Sequence, residues 1–247
     1  MPQQAHSPQA AQAYPSSGGI GPDRRLTLRL VNDFFRTGKP QRVGKKEIVL
    51  GWEKELSYVY FIEKGFIKAY SVSSDGEELI QLIYGPGEVF PLPWAYTGIP
   101  REDYYEAVVN VLLFKIPIEH FQAFSQSSIV ASDTLARLVA QQLNAYGDRI
   151  DNLEYKKPGQ RLACCLLFLA GRFGRLDSNG ITIAGPFTHQ LIADTINLAR
   201  ETVSREIAFL EYDGLLEQKD RRITIKNLAA LKMKFGSQAD SHGWDLE

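Results

Sequence analysis

Thirty residues near the C-terminus, Phe187 to Leu216, constrain this chain more than any other stretch. Their order, FTHQLIADTINLARETVSREIAFLEYDGLL, spells two short helices joined by a tight turn. Leu191, Ile192, Ala193 and Ile196 give the first helix an apolar stripe, and Thr188 stands where an N-cap belongs. Ala193 is small where two crossing helices need close approach. Asn197 falls at the turn, and Asn tolerates the left-handed conformation better than most non-glycine residues. The second helix is expected from about Arg200 to Tyr212, with Val203, Ile207 and Leu210 on one side. Arg200, Glu201, Ser204 and Arg205 then occupy an arc of roughly 140° on another side.

That arc has no packing role, and its chemistry suits base edges. Arginine presents a planar fork that matches guanine O6 and N7, and glutamate accepts from cytosine N4. Arg200, Glu201 and Arg205 are the candidate base readers, placed in the first two turns where a recognition helix meets the groove. The hydroxyls of Thr188, Thr202 and Ser204 suit phosphate oxygens. Taken alone, the charges also fit an ordinary solvated face. On Thr188, Ile192, Ala193, Ile196 and the run Arg200-Glu201-Thr202-Val203-Ser204-Arg205, the stretch resembles the helix-turn-helix of the Crp/Fnr family of bacterial transcription regulators. Two positions depart from that pattern: Asn197 replaces the usual turn glycine, and Ala199 replaces a hydroxyl residue before the Arg-Glu pair. Losing that N-cap is expected to cost the second helix roughly 1 kcal/mol.

The remaining sequence agrees. A length of 247 residues allows two ordinary domains. The net charge of −1 hides a gradient: residues 158–234 hold eleven Lys/Arg against eight Asp/Glu, and 235–247 hold three acids and no base. The basic part is therefore the part with the helix pair, although only mildly so. The two cysteines, Cys164 and Cys165, are adjacent and cannot form a disulfide framework, which fits a reducing cytoplasm. The sequence has no apolar run of membrane-spanning length and no signal-peptide pattern, so no membrane partner is expected. No nucleophile–base motif, metal-ligand spacing or phosphate loop occurs, so neither an enzyme nor a metal or cofactor site is expected.

Residues 1–22 are rich in Gln, Ala, Ser, Pro and Gly and are expected to be a disordered arm. Arg24 to Phe35 reads as a short amphipathic helix or a leading strand; its periodicity fits both. From Pro40 to Pro117 the chain reads as short strands, Ile48–Leu50, Tyr58–Ile62, Phe66–Val72, Glu78–Tyr84, Tyr105–Val109 and Leu112–Ile116. Gly44, Gly51, Gly65, Asp75-Gly76 and Gly85-Pro86-Gly87 punctuate them, which suggests a barrel or roll. From His120 the signal turns helical. Val139, Leu143, Tyr146, Ile150 and Leu153 alternate at four and three residues, a short heptad seam. Such a stripe belongs to a dimer helix packed on its twin or to a core-facing helix of a monomer. Glu154–Gln160 reads as a hinge and Arg161–Phe173 as a buried helix. Glu217–Lys226 reads as a hairpin whose tip residues Lys219, Arg221 and Arg222 suit phosphates.

The resemblance implies an α+β chain: an N-terminal, jelly-roll-like β-roll sensor domain over 23–119, a long dimerisation helix and hinge over 120–156, a winged helix-turn-helix over 157–235, and an acidic flexible tail over 236–247. It implies a sequence-specific, homodimeric, cytoplasmic DNA-binding regulator acting on a pseudo-palindrome, with RNA polymerase as a further partner. The alternative is a small-molecule-responsive β-roll protein whose C-terminal domain binds protein. Cyclic-nucleotide-binding members carry an Arg-Ser pair before an alanine, the Arg neutralising the cyclic phosphate. Here Tyr105-Glu106 precede Ala107, and Pro91 and Pro93 remove backbone donors nearby. No cyclic AMP response is therefore expected. Trp94, Tyr96, Arg101, Tyr105 and Glu106 are the effector-pocket candidates: they line a pocket for some other effector, or they fill it and leave none.

Overall fold

The structure, a computed structural model, describes residues 22–220 and 222–235. The expected arm up to residue 21, Arg221 at the hairpin tip and the tail from 236 lie outside the described residues. The chain opens with helix α1 (Pro22–Arg36), which resolves the ambiguity over 24–35 in favour of a helix. Eight strands and one short helix follow: β1 (Lys39–Val43), β2 (Ile48–Gly51), β3 (Tyr58–Lys64), β4 (Ile67–Val72), β5 (Glu78–Tyr84), β6 (Val89–Phe90), α2 (Leu92–Thr97), β7 (Tyr104–Ala107) and β8 (Val111–Pro117). They form two four-stranded antiparallel sheets, ordered β1-β8-β3-β6 and β2-β7-β4-β5. Strand β1 gave no apolar signal because it is an edge strand in which only Val43 is buried, and an edge tolerates Pro40.

Alternation along the strands builds three layers of core. Tyr60 and Ile62 of β3, Leu82 and Tyr84 of β5, and Tyr105 and Ala107 of β7 point into the roll. Val59 and Phe61 point the other way, under α1 and the helices that follow β8. In β5 the pairing slips at Gln81, so Ile80 and Ile83 both face outward and join the core of the C-terminal half.

The helical signal read from His120 onward is two helices, α3 (Ile118–Gln126) and α4 (Ile129–Glu154). Ser128 makes the break: its hydroxyl accepts from Ala131 N at 3.1 Å and caps α4. Helix α5 (Pro158–Phe173) starts at the proline, so the connection is only residues 155–157, shorter than the expected hinge. Strands β9 (Gly174–Asp177) and β10 (Gly180–Ile183) were not foreseen; too few apolar residues lie in them to show a period. Helices α6 (His189–Ile196) and α7 (Arg200–Tyr212) are the helix pair. Strands β11 (Leu216–Lys219) and β12 (Arg222–Ile225) then complete a sheet ordered β11-β12-β10-β9, and α8 (Leu228–Phe235) closes the described chain. The fold is α+β: a β-roll, a long helix and a winged helix-turn-helix.

Candidate nucleic-acid interface

The turn between α6 and α7 forms as its residues dictate. Thr188 Oγ1 accepts from Leu191 N at 3.2 Å and caps α6. Asn197 takes φ 52°, ψ 53°, the left-handed region, and its N–H and that of Leu198 both return to the carbonyl of Ala193. Ala199 occupies the N-cap of α7 without a side-chain hydrogen bond. Val203, Ile207 and Leu210 are buried against Ile192, Ala193 and Ile196.

With that face buried, α7 presents Glu201, Arg205, Ala208 and Tyr212 in one exposed row, and Arg200 is exposed beside it. The Arg205 side chain is 60% exposed, with Glu206 Oε1 a loose 3.8 Å away. The row therefore offers two guanidinium forks and a carboxylate within two turns, and the loose approach of Glu206 leaves the Arg205 fork facing solvent.

The hydroxyl candidates divide. Thr188 is exposed and Thr202 is half-buried on the flank of α7. Ser204 is engaged internally: its Oγ lies 2.8 Å from His189 Nδ1, and His189 Nε2 lies 3.1 Å from Gln218 Oε1. Ser204, half-buried, thus also serves a link between α6, α7 and the hairpin strand β11. His189 went unnoticed in the sequence because nothing in its spacing marks a partner fifteen residues away. Gln218 N also donates to Glu211 Oε1 at 2.8 Å, so the hairpin is moored to both α6 and α7. At its tip Lys219 pairs with Arg222, both exposed, and Asp220 takes φ 50°.

The heptad seam also divides. Val139 packs against the helical layer under α1 and α3, and Tyr146 packs into the roll, its hydroxyl 3.5 Å from that of Tyr84. Leu153 is half-buried. Leu143 and Ile150 remain exposed, 69% and 62%. They continue a row of Ile129, Ala136, Ala140 and Gly147, again at four and three residues, along the open face of α4. The sequence stripe merges two faces of one helix: an inner one that holds the chain's own roll and an outer one that is exposed among the described residues.

The effector-pocket candidates scatter. Tyr105 lies inside the roll, stacked on Phe90 at 5.1 Å between centroids, with Tyr60 on the other side of Phe90 at 5.3 Å. Burial holds the Tyr84 and Tyr105 hydroxyls neutral well above the ordinary phenol range. Glu106 points outward, 3.4 Å from Lys68 Nζ and 3.3 Å from the Tyr70 hydroxyl. Arg101 donates to Asp103 at 3.0 Å. Burial raises the Asp103 carboxyl above its usual range, against the pull of that guanidinium. Tyr96 sits edge-on to Phe121, outside the roll. Trp94 separates the interior from an open surface cavity of about 390 Å³ that Trp52, Leu56 and Ile118 also line. The fully buried polar residues among those described are Asp103, Thr134, Gln142 and Asn152, none of them a cation.

Comparison with known proteins decides the family. Residues 40–128 match the cyclic nucleotide-binding domain, and residues 160–233 match the Crp-like helix-turn-helix domain. A global nitrogen regulator of Synechococcus elongatus is 33% identical over 183 residues, covering 72% of this chain and 81% of that protein. The chain belongs to the Crp/Fnr family of transcription regulators. A second Crp/Fnr relative, the fumarate and nitrate reduction regulatory protein of Vibrio cholerae, is 26% identical over 214 residues, 87% of this chain and 84% of that one. Among solved structures, FixK2 from Bradyrhizobium japonicum superposes with a TM-score of 0.70 at 24% identity, covering 81% of this chain and 98% of that one. That likeness shows the fold.

Proposed function

We propose that this Crp/Fnr regulator binds a pseudo-palindromic DNA site as a homodimer in the cytoplasm, without a cyclic nucleotide and without enzymatic activity. The observation that carries the reading is the exposed row on α7: Arg200, Glu201 and Arg205 stand clear of the fold on a helix whose other face is fully committed to packing. In this reading Arg200 and Arg205 read guanine and Glu201 reads cytosine, so each half-site is anchored on G·C pairs. Thr188, Thr202, Lys219, Arg221 and Arg222 take phosphates. The outer face of α4, led by Leu143 and Ile150, meets a second copy on the two-fold axis. The functional units are a sensor roll up to residue 117, helices over 118–154 that brace it and pair the dimer, and a DNA-binding domain over 158–235. Contact with RNA polymerase belongs to the same reading.

Selection of binding sites from random duplexes tests it. The expected product is a two-fold site with half-sites about one helical turn apart, and its affinity falls steeply with salt. Sites without two-fold symmetry, purely A·T sites, or binding that is indifferent to salt would overturn it. Capture of a protein by the C-terminal domain, with no duplex bound, would favour the alternative of a protein-binding module.

A further inference from the structure

The C-terminal ends of α4 and α6 meet where the dimer helix passes into the DNA-binding domain. Carbonyls at helix C-termini lack intrahelical donors and carry the negative end of the helix dipole. Two such ends brought together need a cation between them. Arg161, in the first turn of α5, supplies it. Its Nη2 donates to the carbonyls of Leu153 at 3.1 Å and Tyr155 at 2.8 Å, and its Nε to Tyr155 at 3.2 Å. Its Nη1 reaches across to the carbonyls of Ile196 at 3.2 Å and Asn197 at 3.4 Å. One guanidinium thus holds the last turn and C-cap of α4, the end of α6 and the left-handed turn of the helix pair.

Two neighbours complete the junction. Arg149, on the inner face of α4, donates through Nη1 to the carbonyl of Thr195. Asn152 Nδ2 donates to the Arg161 carbonyl at 2.9 Å, fixing the first turn of α5. The space between β5, α4, α5 and α6 here is about 30 Å³, on the order of one water molecule and too small for an organic effector. These side chains therefore tie the end of α4 directly to the helix pair.

We propose that Arg161 and Arg149 are positioning residues that fix the distance between the two recognition helices of the dimer. The inference rests on the reading of α4 as the dimer helix and α7 as the recognition helix. Helix α4 places the two-fold axis, the α6–α7 turn aims the recognition helix, and Arg161 is the side chain that grips both. A lysine is a point donor and cannot span four carbonyls on two helix ends.

Full-length protein is titrated, by fluorescence anisotropy, into three kinds of duplex: the selected palindrome, the same half-sites moved one or two base pairs closer or further apart, and a single half-site. Wild-type protein should prefer one spacing by about tenfold or more. Arg161→Lys and, separately, Arg149→Met should still sediment as dimers and bind the single half-site as wild type does. On the best palindrome they should lose about tenfold, and their spacing preference should flatten. Retained spacing preference in both variants overturns the inference. So does a loss on the single half-site equal to that on the palindrome, which would mean that the arginines only stabilise the helix pair. If the wild type itself binds no duplex, the DNA-binding reading falls and takes this inference with it.

Discussion

Arg205 leaves the second turn of α7 with its fork in solvent, four residues beyond Glu201 on the same line of the helix. A base reader must be held by its backbone and left uncommitted at its tip, and Arg205 meets both conditions. Its loose approach to Glu206 is a surface contact of little worth. Arg205→Ala should weaken binding by roughly 1–3 kcal/mol and relax selectivity at one base pair of each half-site, leaving the other positions as they were. Titration of duplexes substituted one pair at a time reads this directly; a uniform loss across all sequences would assign Arg205 to phosphate. The arc of charged residues could be read from sequence because helical spacing alone separates it from Val203 and Ile207. The internal partner of Ser204 is not legible for the opposite reason. Its hydroxyl belongs to the same arc, but His189, itself bonded to Gln218, meets it across the fold, and no local pattern carries that information.

Helix α4 shows what a heptad count can and cannot resolve. Seven residues make almost two turns, so positions spaced by four and three stay on one stripe, but two adjacent stripes of a helix both satisfy the rule. Val139 and Tyr146 belong to the inner stripe, Leu143 and Ile150 to the outer. Replacing Leu143 and Ile150 together by Glu would put four carboxylates into the proposed two-fold seam and should give monomers by sedimentation, with specific DNA affinity lost. Val139→Ala should instead lower stability by about 1–2 kcal/mol while the protein stays dimeric. A double mutant that still sediments as a dimer would place the interface on another surface. The same distinction explains which elements were legible. Strands with a buried run, such as Tyr58–Ile62 and Glu78–Tyr84, were read closely. The edge strand β1 and the short pair β9 and β10 bury too few residues to leave a pattern.

The two halves of the chain are joined over a broad face. The outer side of the β2-β7-β4-β5 sheet gives Tyr70, Ile80 and Ile83 to the core of the DNA-binding domain, and Phe66 packs with Phe173 and Phe187 at 5.3 and 5.5 Å. Arg172 of α5 donates to both carboxylate oxygens of Glu88, at 2.7 and 2.8 Å, on the loop after β5. This docking joins the DNA-binding domain to the roll, and the inside of the roll is filled by the stacked rings of Tyr60, Phe90 and Tyr105. A cyclic phosphate carries a negative charge whose burial is expensive unless a cation meets it. The family resemblance implies that Tyr105 takes the place of that cation, and its ring is already stacked on Phe90. Glu106 has turned outward to Lys68, and Arg101 is paired with the buried Asp103. Cyclic AMP and cyclic GMP should therefore bind no better than about millimolar, on the order of 4 kcal/mol. The protein should bind its DNA site with neither nucleotide added. Calorimetry of the purified dimer with each nucleotide, alongside DNA titrations in its presence and absence, checks both statements. Micromolar heat, or DNA binding that appears only with nucleotide, would require Arg101 to leave Asp103 for the phosphate, and Arg101→Ala should then abolish it.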